Sequence, residues 1–213
     1  KQYQASITEY LNAVLLYSLL QKQEHDFHLR LRPVRIAMPV NLRRFFPSKT
    51  LRNFITMVYP SIDPRLGDYT FEEIVTQVHH YMRYYINSKF LRGDITTNAS
   101  TQRNPLIRIV PLFLKDFVVR QFYQRVQDKN SSAGLTNMGA IRVPDDMKPY
   151  LERFDIYMGI PYSQRTNCAI VSFEDTLTVN FASCIIEADV ERRFFQKLVE
   201  DGIPVTIESN REL

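Results

Sequence analysis

Two β-prone runs separated by two polar residues constrain the fold of this chain more than any other stretch. The runs are Asn167–Phe173 and Thr176–Phe181, and the Glu174-Asp175 pair between them is typical of a tight hairpin turn. Such a turn places Cys168 opposite Phe181. Because successive side chains of a strand point to opposite sides, one face of the hairpin is mostly apolar. That face carries Cys168, Ile170, Ser172, Leu177, Val179 and Phe181.

An apolar sheet face needs a layer of helices to cover it, and the residues after the hairpin supply one. Ala188–Asp201 has acidic residues near its start and is followed by Gly202, where a helix would end. Three apolar residues recur within it at four-residue spacing: Val190, Phe194 and Leu198. A short β-prone run, Pro204–Glu208, follows.

Two further amphipathic helices are predicted in the first half of the chain, each beginning with a capping box. Ser6 with Glu9 begins a helix that we expect to end near Lys22, and Thr70 with Glu73 begins another. The predicted strands outside the hairpin are Val34–Val40, Phe54–Tyr59, Leu135–Val143 and Arg153–Met158.

The stretch Gly93–Arg103 is polar and contains glycine, threonine and asparagine, which predicts a loop or mobile segment. Asn104 can cap a further helix after it. Helices thus alternate with strands along the chain. This order predicts an α/β or α+β domain of two layers, a mixed β-sheet covered by helices.

Composition excludes several classes of protein. With 213 residues, 45% of them hydrophobic, the chain can bury one substantial core or two small ones, and its apolar runs are too short to cross a membrane. Because it begins with Lys1, we expect it to be part of a longer protein. The two cysteines, Cys168 and Cys184, do not face each other in the hairpin register, and two unpaired thiols favour a cytoplasmic location.

The net charge of +4 is mild, but six arginines lie close together in the sequence. They are Arg30, Arg32, Arg35, Arg43, Arg44 and Arg52. They fit either a solvated strand edge and loop or an anion site for nucleic acid or cofactor phosphates. No helix-turn-helix, zinc-ligand or RNP-like pattern accompanies them, so we do not expect nucleic acid as a partner.

The patterns of common active sites are missing from the sequence. It contains no G-x-S-x-G, no P-loop, no G-x-G-x-x-G, no H-E-x-x-H and no C-x-x-C. His79 and His80 are adjacent on a predicted helix and point about 100° apart, so they do not easily share a metal ion. We therefore predict no metal site and interpret the histidines as surface or boundary residues.

The remaining functional signal is the order of six segments along nearly the whole chain. They are SITEYLNAVLLYSLL (Ser6–Leu20), VRIAMPVNLR (Val34–Arg43), RNFITMVYP (Arg52–Pro60), YTFEEIVTQV (Tyr69–Val78), TNMGAIRVP (Thr136–Pro144) and GIPYSQRTNCAIVSFEDTLTVNF (Gly159–Phe181). In this order they resemble the C-terminal half of CoA-dependent acyltransferases of the chloramphenicol-acetyltransferase-like superfamily, and especially bacterial alcohol acetyltransferase-like proteins. Arg52 stands where the family has glycine, and Thr136 and Met138 replace the serine and leucine of its "S-N-L-G" strand.

The resemblance implies that residues 1–213 form one lobe of a two-lobed enzyme. A tunnel between the lobes would admit acyl-CoA from one side and an alcohol or amine acceptor from the other, without a permanently bound cofactor. The family's general base is the histidine of an H-x-x-x-D motif in the N-terminal half. None of the four histidines here is followed by aspartate four residues later, so no catalytic residue is named and the N-terminal half is the expected partner.

The same resemblance implies which residues would line the tunnel. Arg43 either orients the aspartate of the partner's motif or is a structural surface arginine. Asparagine side chains near it bind either a pantetheine amide or the loop backbone, and the "S-N-L-G"-like segment either shapes the tunnel edge and helps to hold an oxyanion or only forms a turn. The candidate site residues are Asn41, Arg43, Asn53, Thr136, Asn137 and Gly139.

Two other functions remain open from the sequence. The chain could be a binding or scaffolding domain that kept the fold and lost the chemistry, or a basic anion-binding module that uses the arginine cluster. If the other lobe is missing, the exposed face that would contact it is a possible site of self-association.

Overall fold

A computed structural model describes residues 3–26, 30–103, 111, 112, 114, 116, 131–160 and 164–210 of the chain. Within these residues the strands are β1 (Val34–Asn41), β2 (Ile55–Val58), β3 (Ser61–Ile62), β4 (Ala133–Ala140), β5 (Thr166–Phe173) and β6 (Thr176–Ser183). The helices are α1 (Ile7–His25), α2 (Phe71–Tyr85), α3 (Ser88–Arg103) and α4 (Asp189–Glu200). Short 3₁₀ turns are formed by Leu42–Arg44, Pro64–Leu66 and Lys148–Tyr150.

The strands form one mixed sheet in the order β2-β1-β4-β5-β6, and β3 also pairs with β1. β1, β4 and β5 are mutually parallel, whereas β2, β3 and β6 are antiparallel to their neighbours. The carboxyl ends of three neighbouring strands therefore lie at one edge of the sheet, which we call the carboxyl edge. Ligands of open sheets commonly bind at this edge.

The hairpin has the register that its two-residue turn predicts. Its ladder is uninterrupted from Phe173 opposite Thr176 to Thr166 opposite Ser183, with Cys168 opposite Phe181. Two residues suffice for the turn because Glu174 adopts a positive φ of 48°. The predicted pairing is confirmed.

Helices α1, α2 and α4 cover one face of the sheet, the helix face, and the hydrophobic core lies between the two layers. The stripe predicted on α4 is confirmed, since Val190, Phe194 and Leu198 are 2%, 0% and 4% exposed. From the hairpin, Cys168 and Ile170 join the same core. The fold class is therefore α+β, a mixed sheet covered by helices, as the sequence predicts.

The predicted loop Gly93–Arg103 is wrong, because these residues belong to α3. Asn87 begins that helix by accepting hydrogen bonds from the backbone N–H groups of Lys89 (3.0 Å) and Phe90 (2.9 Å). The hydroxyls of Thr96 and Thr97 donate to carbonyls four residues earlier, at 2.8 and 3.0 Å. Threonines that bond in this way occupy a helix without exposing unmet polar groups.

The predicted strand Arg153–Met158 is also wrong, because this segment does not pair with the sheet as a strand. This segment lies across the face of the sheet opposite the helices, the outer face. The rings of Phe154 and Phe173 are 5.1 Å apart, and the carbonyl of Gly159 accepts a hydrogen bond of 2.9 Å from Asn167 Nδ2. Its inward and outward residues alternate as in a strand, but its partner is a sheet face and not a sheet edge.

Three smaller predictions have other outcomes. The run Pro204–Glu208 is not a strand, and α1 continues past Lys22 to His25. The helix predicted from Asn104 onward lies outside the described residues, apart from isolated positions.

Candidate functional site at the carboxyl edge of the sheet

The carboxyl end of β1 is held by an asparagine cap. Asn41 is the last residue of β1, and its Oδ1 accepts a hydrogen bond of 3.0 Å from the backbone N–H of Arg43. This bond starts the 3₁₀ turn Leu42–Arg44, whose Leu42 is buried. Asn41 therefore contacts the loop backbone, the second of the two roles that the sequence leaves open.

Arg43 fixes the loop that joins β1 to β2, which we call the clamp loop (residues 45–54). Its Nη2 donates to the carbonyl oxygens of Thr50 at 2.9 Å and Arg52 at 2.6 Å. Its Nε and Nη1 groups make no hydrogen bond with any residue that the structure describes. The guanidinium thus holds the loop through one nitrogen and presents its other donors at the carboxyl edge.

Replacing Arg43 with alanine is expected to loosen the clamp loop with little loss of global stability. The side chain is exposed, so the free energy of unfolding should fall by less than about 1 kcal/mol. Hydrogen–deuterium exchange of residues 45–54 should become faster, whereas an Arg44→Ala control should leave it unchanged. Unchanged hydrogen–deuterium exchange of residues 45–54 in Arg43→Ala would show that Arg43 does not hold the clamp loop.

The end of β4 carries a bulge that Asn137 stabilises. The β4–β5 register shifts between Asn137 and Ala140, and Gly139 has a φ of +76°, which favours glycine. Asn137 Oδ1 accepts from the backbone N–H of Gly139 at 2.8 Å, and its Nδ2 donates to Thr8 Oγ1 at 2.9 Å. Thr136 pairs with Ala169 of β5 and is half-buried.

Apolar side chains remain exposed on the outer face near the carboxyl edge. Ile55 and Met57 of β2 are 48% and 39% exposed, and Met138 of β4 is 61% exposed. Pairing places Ile55 opposite Asn41, which is itself exposed. We call Ile55, Met57 and Met138 the apolar patch. Asn53 is exposed just before β2.

The six arginines of the sequence cluster do not form one group. Arg30 and Arg32 precede β1, whereas Arg43, Arg44 and Arg52 follow it. An eight-residue strand separates the two sets by roughly 23 Å. A single anion site built from the whole cluster is therefore excluded.

The buried carboxylate of Glu9 stabilises the helix layer. Glu9, 5% exposed, caps α1 and lies 3.3 Å from His79 Nδ1. Burial favours a higher pKa for Glu9, but the hydrogen bonds from Ser6 and His79 outweigh it and lower that pKa. His79 is a boundary residue, as predicted. Its contact with Glu9 could not be predicted from sequence, because the two residues are 70 positions apart.

A cavity of about 320 Å³ lies beside the C-terminal half of α1, where Leu20 and Glu24 face Asp68 and Tyr69. Since Thr8 near the start of α1 contacts the carboxyl edge, this cavity is at the other end of the helix. The described residues contain no group of three metal-binding side chains and no helix long and apolar enough to cross a membrane.

Comparisons with known proteins were made for the whole chain. No family model matches it, and no curated protein matches it. Among solved structures, it is similar to the wax ester synthase/diacylglycerol acyltransferase from Marinobacter aquaeolei VT8, with 12% sequence identity and a TM-score of 0.49. The similarity covers 94% of this chain and 45% of that chain, so the chain spans less than half the length of that protein.

Proposed function

We propose that the chain is the C-terminal lobe of an acyltransferase. The complete enzyme would move an acyl group, such as acetyl, from CoA or a carrier thioester to an alcohol or amine. The lobe would be inactive alone because the histidine that acts as general base would belong to the N-terminal half. The order of the six resembling segments is the observation that carries this proposal.

The positions of those segments in the fold support it. The segment that ends in Arg43 forms β1, and the segment that begins with Thr136 lies on the neighbouring parallel strand β4. The strand ends that carry Arg43 and Thr136 therefore share the carboxyl edge, although the two residues are 93 positions apart in sequence. A reaction site needs side chains from distant segments close together, and the carboxyl edge is a position where these two segments meet.

Arg43 has a specific role in the proposal. Its Nε and Nη1 donors would orient the aspartate of the partner's H-x-x-x-D motif, while Nη2 stays on the clamp loop. Thr136 would lie beside the acyl group, where its hydroxyl would help to hold the oxyanion. Asn41 and Asn53 would shape the tunnel mouth for pantetheine.

The experiment is an assay of the full-length gene product with acetyl-CoA and a panel of alcohols and amines, measuring release of free CoA. We expect turnover, and we expect Arg43→Ala to reduce kcat more than Arg44→Ala does. If the upstream half lacks H-x-x-x-D, the function is binding or scaffolding. No turnover despite an intact upstream motif would refute the acyl-transfer proposal.

The apolar patch supports the N-terminal half as a partner, since exposed apolar groups at the proposed site need a cover. Without that half, the 213-residue chain is expected to self-associate through the patch. Met57→Lys combined with Ile55→Lys should shift its sedimentation toward the monomer. A matched pair of lysines at Leu66 and Ile207, which are exposed elsewhere, should not. Equal effects of both pairs of substitutions would show that the apolar patch is not the surface of self-association.

A further inference from the structure

Asn12 places an unpaired polar atom in the core beneath α1. Its side chain is 0% exposed, and its Nδ2 has only a weak acceptor, Met38 Sδ at 3.9 Å on β1. Asn12 Oδ1 has no hydrogen-bond partner among the described residues. A buried amide oxygen without a donor is unfavourable, and ordered waters in protein interiors typically bind to polar groups that lack a protein partner.

A matching donor lies one helical turn earlier. Residues four apart share a face of a helix, so Thr8 and Asn12 point to the same side of α1. Thr8 Oγ1 accepts from Asn137 Nδ2 at 2.9 Å, and its own O–H donates to none of the described residues. Within the part of the chain that the structure describes, one side of α1 therefore presents a hydroxyl donor and an amide acceptor without partners, one helical turn apart.

These two groups face the junction of β1 and β4. Thr8 contacts Asn137 on β4, and Asn12 contacts Met38 on β1. The β1–β4 ladder comprises Ile36 with Ala133 and Ala37 with Gly134, just before the strands reach these contacts. Beyond it, β1 continues beside β2. Under α1, the side chains of Thr8 and Asn12 thus contact β4 and β1 just beyond the last residues through which these two strands pair.

We propose that one internal water molecule binds in this junction, accepting from the Thr8 hydroxyl and donating to Asn12 Oδ1. The water completes a chain of hydrogen bonds from the N–H of Gly139 through Asn137 and Thr8 to Asn12. Asn12 is then a positioning residue that holds the β4 bulge through this chain. The inference does not depend on the acyl-transfer proposal.

A double-mutant cycle on the 213-residue chain tests it, with Asn12→Leu and Thr8→Val measured by urea unfolding. If the water is bound, Asn12→Leu lowers the folding equilibrium constant about tenfold, and the second substitution costs much less in the presence of the first. An unpaired Asn12 would instead make Asn12→Leu neutral or stabilising, which would overturn the proposal.

The control pairs Asn12→Leu with Thr76→Val on the exposed side of α2, where Thr76 donates to the Glu72 carbonyl at 2.8 Å. These two substitutions should be additive. Additivity of the Thr8 pair as well would also overturn the proposal. Should a variant fail to fold, a high-resolution crystal structure of the unchanged chain decides: a water within about 3 Å of both Asn12 Oδ1 and Thr8 Oγ1 supports it, and no such water refutes it.

Discussion

Replacing Phe194 with alanine should destabilise the chain by about 3–5 kcal/mol. Its ring is fully buried, and its centroid lies 5.1 Å from that of Phe181 and 5.5 Å from that of Phe195. The substitution would remove the apolar contact between α4 and the hairpin and leave a cavity that the surrounding strands cannot close. Urea unfolding followed by circular dichroism would measure the change.

Val199→Ala is the control on the same helix. Val199 is 58% exposed, and alanine is the better helix former, so the free energy of unfolding should change by less than about 0.5 kcal/mol. A loss below about 1 kcal/mol for Phe194→Ala would mean that α4 does not anchor the core.

The hairpin and α4 can be predicted from sequence because their determinants are local. A two-residue turn fixes the register of two strands, and the four-residue spacing of Val190, Phe194 and Leu198 fixes the buried side of a helix. The capping boxes at Ser6 and Thr70 likewise give helix starts, since both reciprocal hydrogen bonds lie within four residues.

Elements that depend on distant contacts could not be predicted in this way. Arg153–Met158 alternates like a strand, but its position across the outer face depends on Phe173 and Asn167. The helix α3 is stabilised by contacts with the rest of the fold: its Asp94 accepts a hydrogen bond from Thr56 of β2, and its Leu91 is buried. These tertiary contacts outweigh the loop-like composition of the segment.

The geometry of the candidate site also depends on distant contacts and could not be predicted from the sequence. The parallel order of β1 and β4 was not evident from sequence, yet it brings Arg43 and the Thr136–Gly139 segment to one edge. The partners of Arg43 are two backbone carbonyls, which no side-chain pattern could identify. That Asn12 Oδ1 has no partner among the described residues could not be predicted either, because an asparagine within an apolar helix has no distinguishing signal until its neighbours are known.

Replacing Asp201 with alanine is expected to cost about 1.5–3 kcal/mol, because it removes the charged acceptor of a partly buried cluster of hydrogen bonds. The carboxylate accepts from Tyr10 at 2.7 Å and Tyr3 at 3.3 Å, and it pairs with Lys197 at 2.7 Å. The Lys197 ammonium also lies 4.4 Å from the ring centroid of Phe71. The Asp201–Lys197 pair thus links the starts of α1 and α2 to the end of α4.

The matched variants separate charge from packing. Asp201→Asn keeps the shape and one acceptor oxygen but loses the ion pair, so it should cost less than alanine. Glu200→Ala, at the exposed neighbouring position, should change stability by less than about 0.5 kcal/mol. Equal, small effects at residues 200 and 201 would show that the cluster is not stabilising.

The pH dependence of these variants tests the same cluster independently. Burial favours a higher pKa for Asp201, but the hydrogen bonds from Lys197 and Tyr10 outweigh it and lower that pKa below its ordinary 3.8. A lowered folded pKa means that the stabilisation is complete above pH 3.8 and is lost as the pH falls through the folded value. The stability difference between the unchanged chain and Asp201→Asn should therefore be constant near neutral pH and shrink in acid. A difference that grows as the pH falls would contradict this sign, and with it the role of the ionised carboxylate in joining the three helices.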